Sequence, residues 1–115
     1  MTIKECYDAT GSDYNDVLNR LGSEALVKKF ALKFLNDPSF NELTSQLEAH
    51  NVEGAFRASH TLKGVCLNLG FTGLHSISSE LTEILRGGEL PQDDKLYVQL
   101  KEQYSILAEA LDSLE

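Results

Sequence analysis

A histidine, a lysine and a glycine lie close together in one stretch of the chain, at His60, Lys63 and Gly64. A neutral imidazole nitrogen is a competent nucleophile near neutral pH. If the segment is helical, the Lys63 ammonium lies one turn away and supplies the positive charge that phosphoryl transfer requires. Gly64 leaves room for a partner's backbone and reactive carboxylate to approach. The three residue types together favour carriage of a phosphoryl group on His60.

The helix that we predict over about Val52–Leu69 has an outer face that does not fit a simple core pattern. At about 100° per residue, its core side holds Ala55, Ala58, Leu62, Val65, Cys66 and Leu69. His60, Lys63 and Gly64 fall on the outer side, where glycine costs about 1 kcal/mol relative to alanine. Phe56, Arg57 and Leu67 fall there as well. Large apolar residues among polar ones on an exposed face predict a docking surface for another protein.

Less functional interpretations of the same residues stay open. His60 could be an incidental surface histidine, Lys63 a solvated lysine, and Gly64 a position that allows close helix packing. Metal binding is disfavoured because the histidines and Cys66 lack the spacing of a ligand set. Cys66 falls on the predicted core face, where cysteine behaves as a small hydrophobic residue.

Apolar residues recur every three or four positions along the chain, which predicts helices, and no β-like alternation stands out. Short connections between amphipathic helices favour antiparallel packing, so we predict an all-α, up-and-down four-helix bundle with one or two additional N-terminal helices. We expect a single domain over 1–115, with its bundle core at about 38–114 and covering helices at about 13–36. We predict six helices. The first runs from about Asp13 to Leu21, and the second runs from the Ser23 cap to near Asn36, with an apolar stripe of Leu26, Phe30 and Phe34. The other four run from Pro38 to near His50, over about Val52–Leu69, from the Thr72 cap to Gly87, and from just after Pro91 to Leu114.

Composition narrows the class of protein. Hydrophobic residues make up 42% of the 115 residues and charged residues 24%, which is an ordinary globular balance. The net charge of −8 disfavours nucleic-acid binding as the main role. No apolar run approaches the roughly 20 residues of a membrane span, and the two cysteines lack a CxxC spacing. We therefore expect a cytoplasmic protein, with a monomer as the simplest oligomeric state.

Several of these segments resemble one known family. Ala58-Ser59-His60-Thr61-Leu62-Lys63-Gly64, followed by Asn68-Leu69-Gly70, is similar to the signature of the histidine-containing phosphotransfer (HPt) domain. Leu74, Leu81, Gly87 and the upstream run from Phe30 to Asp37 also fit. The resemblance extends from about Leu18 to Leu111.

The resemblance implies a histidine phosphotransfer protein of a two-component multistep phosphorelay. His60 would accept a phosphoryl group from a receiver-domain aspartate and pass it to another receiver, while Lys63 stabilises that group and Gly64 gives access. The implied partners are response-regulator receiver domains and a hybrid sensor histidine kinase. The chain would be a phosphocarrier rather than an enzyme and would bind no cofactor, with Mg²⁺ held by the partner receiver domain.

The predicted docking residues are Phe56, Arg57, Leu67 and Thr82, and the last two depart from the family pattern. Leu67 stands where members often have a small residue. Thr82 stands at the spacing where some members place a glutamine near the histidine. Three other interpretations remain: a module of a larger hybrid or chemotaxis-type histidine kinase, a non-catalytic helical interaction bundle, and an enzyme that uses His60 as a general base.

Overall fold

The computed structural model of the chain describes residues 1–114, and within that range it is helical with no strand. The prediction of an all-α fold is therefore confirmed. None of the described helices is long and apolar enough to cross a lipid bilayer. The α-helices are Ile3–Ala9 (α1), Tyr14–Leu21 (α2), Glu24–Lys33 (α3), Ser39–Glu48 (α4), Val52–Leu69 (α5), Thr72–Arg86 (α6) and Lys95–Asp112 (α7), with a 3₁₀ turn at Phe34–Asn36.

The last four helices form the predicted bundle. Helix α5 packs between α4 and α6, and α6 also packs against α7. Each helix contributes a fully buried leucine, namely Leu43, Leu62, Leu81 and Leu100. Burying a leucine side chain stabilises a fold by about 1.5–3 kcal/mol. Within the bundle, helix α5 thus has neighbours on two sides, and the side that carries His60 faces solvent.

Helices α2 and α3 begin and end near the expected residues, whereas α1 was not predicted from the sequence. Helix α2 begins directly after Asp13, which caps it, and Gly22 ends it in the left-handed conformation. Ser23 caps α3, as predicted. The N-terminus of α1 has a capping box, in which the Thr2 hydroxyl accepts from the Glu5 amide and the Glu5 carboxylate accepts from the Thr2 amide. This T-x-x-E pattern was a readable signal, but a helix of 7 residues is too short to show a clear apolar period.

The predicted apolar stripe of α3 is wrong at Leu26 and Phe30 but confirmed at Phe34, which is buried in the 3₁₀ turn that follows the helix. Val27 and Ala31, rather than Leu26 and Phe30, are the fully buried residues of this helix. Leu26 is 39% exposed, and Phe30 is only partly buried. The buried pair stands one position later, which corresponds to a rotation of about 100°. The inner face of α3 thus carries the smaller side chains, and Leu26 lies at the surface.

The start of α6 also differs from the prediction. Phe71 occupies the N-cap position, and Thr72 is the first helical residue. The Thr72 hydroxyl donates to the Gly11 carbonyl at 2.8 Å instead of capping its own helix. Threonine is a common capping residue, but Thr72 instead connects α6 to the loop between α1 and α2 through this hydrogen bond.

Candidate functional site

His60 lies in the middle of α5 with its side chain exposed to solvent. The helix is fixed at both ends, since the Asn51 side chain accepts from the Gly54 amide at 3.1 Å and Gly70 closes the helix with a φ of 71°. Within residues 1–114 no side chain makes a hydrogen bond or ion pair with the imidazole. Its aromatic neighbour is Phe56, with the ring centroids 6.1 Å apart. The ring is held on a rigid helix and is open to an incoming molecule.

Gly64 leaves an open space beside the histidine. A Cβ atom built at Gly64 would meet no atom within 4 Å. Close helix packing, the less functional interpretation of this glycine, is therefore wrong. Gly64 follows His60 by one helical turn on the same exposed ridge.

Lys63 supplies a cation near the histidine. Its side chain is half-buried, and no carboxylate of residues 1–114 forms an ion pair with it. At about 100° and 1.5 Å per residue, it stands about 60° around the helix and about 4.5 Å along the axis from His60. An ammonium group without a carboxylate partner is available to a phosphoryl group bound at the histidine.

Phe56 is half-buried, and an arginine of the neighbouring helix covers part of its ring. The Arg86 guanidinium lies 5.0 Å from the Phe56 ring centroid, within the range of a cation–π contact. Arg86 also pairs with Glu83 on the surface of α6. The sequence did not predict a role for Arg86, because only the packing of α6 on α5 brings this residue to the site.

Arg57 and Leu67 lie on the outer side of α5, as predicted. Arg57 is exposed and pairs with Glu53 at 3.3 Å, with the two side chains 72% and 82% exposed. Such an exposed pair contributes little stability and leaves the guanidinium accessible. Leu67 is 56% exposed. Together with Phe56, these residues give the surface around His60 an apolar and positively charged character.

Thr82 does not belong to this surface, and its prediction as a docking residue is wrong. Its side chain is fully buried between α5 and α6. Its hydroxyl lies 2.8 Å from the Ser59 hydroxyl and 2.6 Å from the Ser78 carbonyl. Ser59 also donates to the Ser78 carbonyl at 2.9 Å. Thr82 lies on the inner face of α6 and contacts Ser59, the residue before His60. It stabilises the packing of α5 against α6 and is not accessible to a partner protein.

The C-terminal end of α5 is held by the N-terminal helices. The last carbonyls of a helix have no donor within it. The Tyr7 hydroxyl donates to the Leu69 carbonyl at 2.7 Å, and the Asp13 amide donates to the Gly70 carbonyl at 2.8 Å. The Arg20 guanidinium donates to the carbonyls of Leu67 and Asn68. These contacts fix the end of the helix that carries the histidine.

Other candidate residues do not join the site. Residues 1–114 contain no group of three or more histidine, cysteine or acidic side chains that could hold a metal ion. Cys66 is fully buried, and burial raises the pKa of its thiol to about 12. A thiol that stays protonated is a poor nucleophile. His60, Lys63 and Gly64 are thus the predicted residues that the structure brings together on one accessible face.

Comparison with known proteins gives a family. No curated protein and no solved structure matches the chain. The family model described as the Hpt domain matches residues 36–110, which is more than half of the chain. Domains of this family are histidine phosphotransfer modules of two-component phosphorelays, and they interact with receiver domains and histidine kinases. The helical bundle and the matched residues agree, and the chain belongs to the Hpt domain family.

Proposed function

We propose that this chain is a phosphocarrier of a multistep phosphorelay, which accepts a phosphoryl group on His60 from a receiver-domain aspartate and passes it to another receiver. The observation that carries the proposal is the exposed imidazole, without a hydrogen-bond partner in residues 1–114, beside the open space at Gly64. A structural bundle has no use for a glycine that costs stability at an exposed helix position.

The transfer needs one nucleophile from this chain. The unprotonated nitrogen of the neutral His60 ring attacks the phosphorus of the partner's aspartyl phosphate. A nitrogen–phosphorus bond forms, the bond between phosphorus and the aspartyl oxygen breaks, and the aspartate leaves as a carboxylate. The attacking nitrogen carries no proton, so no general base is required. Transfer to the next receiver is the same reaction in reverse.

The remaining site residues position the partner and its charge. The Lys63 ammonium stabilises the oxygens of the transferring group. The space at Gly64 admits the aspartate and its backbone, and Phe56, Arg57 and Leu67 contact the surface of the receiver. Mg²⁺ is supplied by the receiver, whose carboxylates suit this ion. The chain therefore acts as a carrier and not as an enzyme.

We propose that the transfer takes place in the cytoplasm and that the carrier is a monomer. Cys6 and Cys66 are both free thiols, which fits a reducing compartment. The bundle buries the leucines of its four helices within one chain, so it needs no second copy to complete its core.

The test is incubation of the chain with Mg²⁺ and a receiver domain phosphorylated on its aspartate, followed by measurement of the intact mass. The wild-type chain should gain one phosphoryl group that acid removes, because the nitrogen–phosphorus bond of phosphohistidine is acid-labile. His60→Gln should gain none. His75→Gln is the matched control, since His75 lies at the start of α6 and outside the site, and it should gain the same group as the wild type. Uptake by His60→Gln would refute the assignment.

A further inference from the structure

A groove between α3 and α5 begins where the exposed ridge of the candidate site ends. It has a volume of about 410 Å³, and its lining includes Arg20, Phe30, Lys33, Asp37, Val65 and Asn68. We propose that this α3–α5 groove is a second contact site for the receiver domain and selects which receivers dock. This inference rests on the proposed function and adds partner selection to it.

The groove is continuous with the surface around His60. His60, Gly64 and Asn68 follow one another at intervals of four residues, so they form one ridge along α5. All three are exposed. Asn68 stands about 12 Å along the helix from His60, and it lines the groove. A receiver domain seated over His60 therefore extends across this distance and reaches the groove.

The apolar part of the groove comes from residues that the sequence assigned to the core. The orientation of α3 buries Val27 and Ala31 and leaves Phe30 only partly buried. Phe30 lies against the core at one edge and opens into the groove at the other. Apolar side chains at a surface, with charged residues at the rim, are typical of protein contact sites.

The charge of the groove fits a receiver domain. The lining of the groove contains two basic residues, Arg20 and Lys33, and one acidic residue, Asp37, in a chain with a net charge of −8. The Lys33 ammonium lies 5.1 Å from the Phe30 ring centroid, and the Lys29 ammonium lies 5.9 Å from it. A partner that presents an aspartate and holds Mg²⁺ must carry carboxylates on its docking side. Opposite charges across an interface steer association and favour the matching partner.

The acidic residue of the groove, Asp37, offsets one of the two cations and leaves one net positive charge in the lining. The Asp37 carboxylate accepts a hydrogen bond from the Ser39 amide at 2.9 Å. This hydrogen bond holds the carboxylate at the first turn of α4. Lys33 is exposed and has no ion pair within residues 1–114. Its ammonium remains available to a carboxylate on the partner.

The test compares Lys33→Glu with Lys101→Glu. Lys101 is exposed on α7 and lies 5.0 Å from the Tyr97 ring centroid, so the control reverses the same charge and removes the same kind of ring contact. The probe is the phosphorylated receiver domain that transfers fastest to the wild type among a purified panel. Lys33→Glu should raise the receiver concentration for half-maximal transfer by about tenfold with the saturating rate unchanged, and Lys101→Glu should match the wild type.

A small donor separates failure of the groove from failure of the carrier. Phosphoramidate is a small molecule that phosphorylates imidazole without a protein contact. The new nitrogen–phosphorus bond forms at the histidine, the nitrogen–phosphorus bond of phosphoramidate breaks, and ammonia leaves. Both lysine variants should accept this group on His60 at the wild-type rate. If the wild type accepts the group from receivers and the two variants have equal half-maximal concentrations, the groove plays no part and the carrier function stands. If the wild type accepts the group from no receiver, both proposals fail.

A second copy of the chain is the competing occupant. Sedimentation velocity distinguishes it, because a groove that joins two copies would give a wild-type dimer and a monomeric Lys33→Glu. We expect both proteins to be monomers. A dimer that Lys33→Glu dissociates would overturn the assignment of the groove to the receiver domain.

Discussion

At the scale of single residues, Gly64 is unfavourable for the stability of the helix and favourable for access to His60. A glycine inside a helix costs about 0.5–1 kcal/mol relative to alanine, since it loses more conformational freedom on folding. No neighbouring atom occupies the space that a Cβ would take, so packing does not require glycine here. The demand must come from a molecule that approaches the exposed face beside His60.

Gly64→Ala should make the protein more stable and its phosphoryl transfer slower. The free energy of unfolding should rise by about 0.5–1 kcal/mol, because alanine favours the helix and meets no atom. Transfer from a phosphorylated receiver should slow by about tenfold or more, since the new methyl group stands in the path of the reactive aspartate. Urea unfolding and the transfer rate are the two measurements.

Gly73→Ala is the matched control for this substitution. Gly73 lies in α6, and a Cβ there meets the flexible end of the Gln103 side chain at 2.9 Å, far along the chain from the site. Transfer to this variant should equal transfer to the wild type. A wild-type transfer rate for Gly64→Ala would show that the open space has no role in access.

At the scale of secondary-structure elements, buried polar contacts decide how α5 sits in the bundle. The hydroxyls of Ser59 and Thr82 share the Ser78 carbonyl across the interface between α5 and α6. Within residues 1–114 no buried side-chain nitrogen or oxygen lacks a hydrogen-bond partner. Satisfied polar groups of this kind fix one arrangement of two packed helices. Ser59 precedes His60, so this cluster holds the site helix next to its reactive residue.

Thr82→Val should weaken the interface between α5 and α6. Valine keeps the shape of threonine and removes the buried hydroxyl, so we expect a loss of about 1–2 kcal/mol in the free energy of unfolding. Thr61→Val is the control, because the Thr61 hydroxyl donates to the Arg57 carbonyl on the exposed side of α5 and has no other hydrogen bond within residues 1–114. Its effect should stay within about 0.5 kcal/mol. Equal urea midpoints for the two variants would count against the role of the cluster.

At the scale of the whole molecule, burial suppresses the ionisation of weakly acidic groups in the core. Cys66 is fully buried, and desolvation raises the pKa of its thiol from 9.0 to about 12. Burial also raises the pKa values of Cys6 and Tyr104. In each case the folded chain keeps a proton that the unfolded chain loses at lower pH. The resulting stabilisation is complete below the unfolded pKa and is lost as the pH rises toward the folded pKa.

The free energy of unfolding should therefore decrease with pH above the ordinary thiol pKa of 9.0 and up to about 12. Cys66→Ala lacks this thiol, so its stability should decrease less steeply over the same range, whatever the cavity costs at neutral pH. Urea unfolding at several pH values from about pH 8 to about pH 10.5 gives the two slopes. Parallel slopes for the wild type and the variant would refute the role of Cys66.

The sequence by itself determined most of the helices and the orientation of α5. Caps such as Asp13 and Ser23 act within one turn, and the spacing of small and apolar residues shows which side of α5 meets the core. For that reason the positions of His60 and Gly64 on the exposed side were predictable. The short helix α1 was missed, because its capping box lies outside any long apolar pattern.

The tertiary structure alone decided which groups from other elements meet α5. Arg86 over Phe56, Arg20 and Tyr7 at the end of the helix, and the burial of Thr82 all depend on contacts between residues far apart in the chain. The apolar periodicity of a sequence shows which face of its helix a residue lies on. It does not show which residues of other helices pack against that face. The position of each neighbour is set by the packing of the whole core, to which every helix contributes.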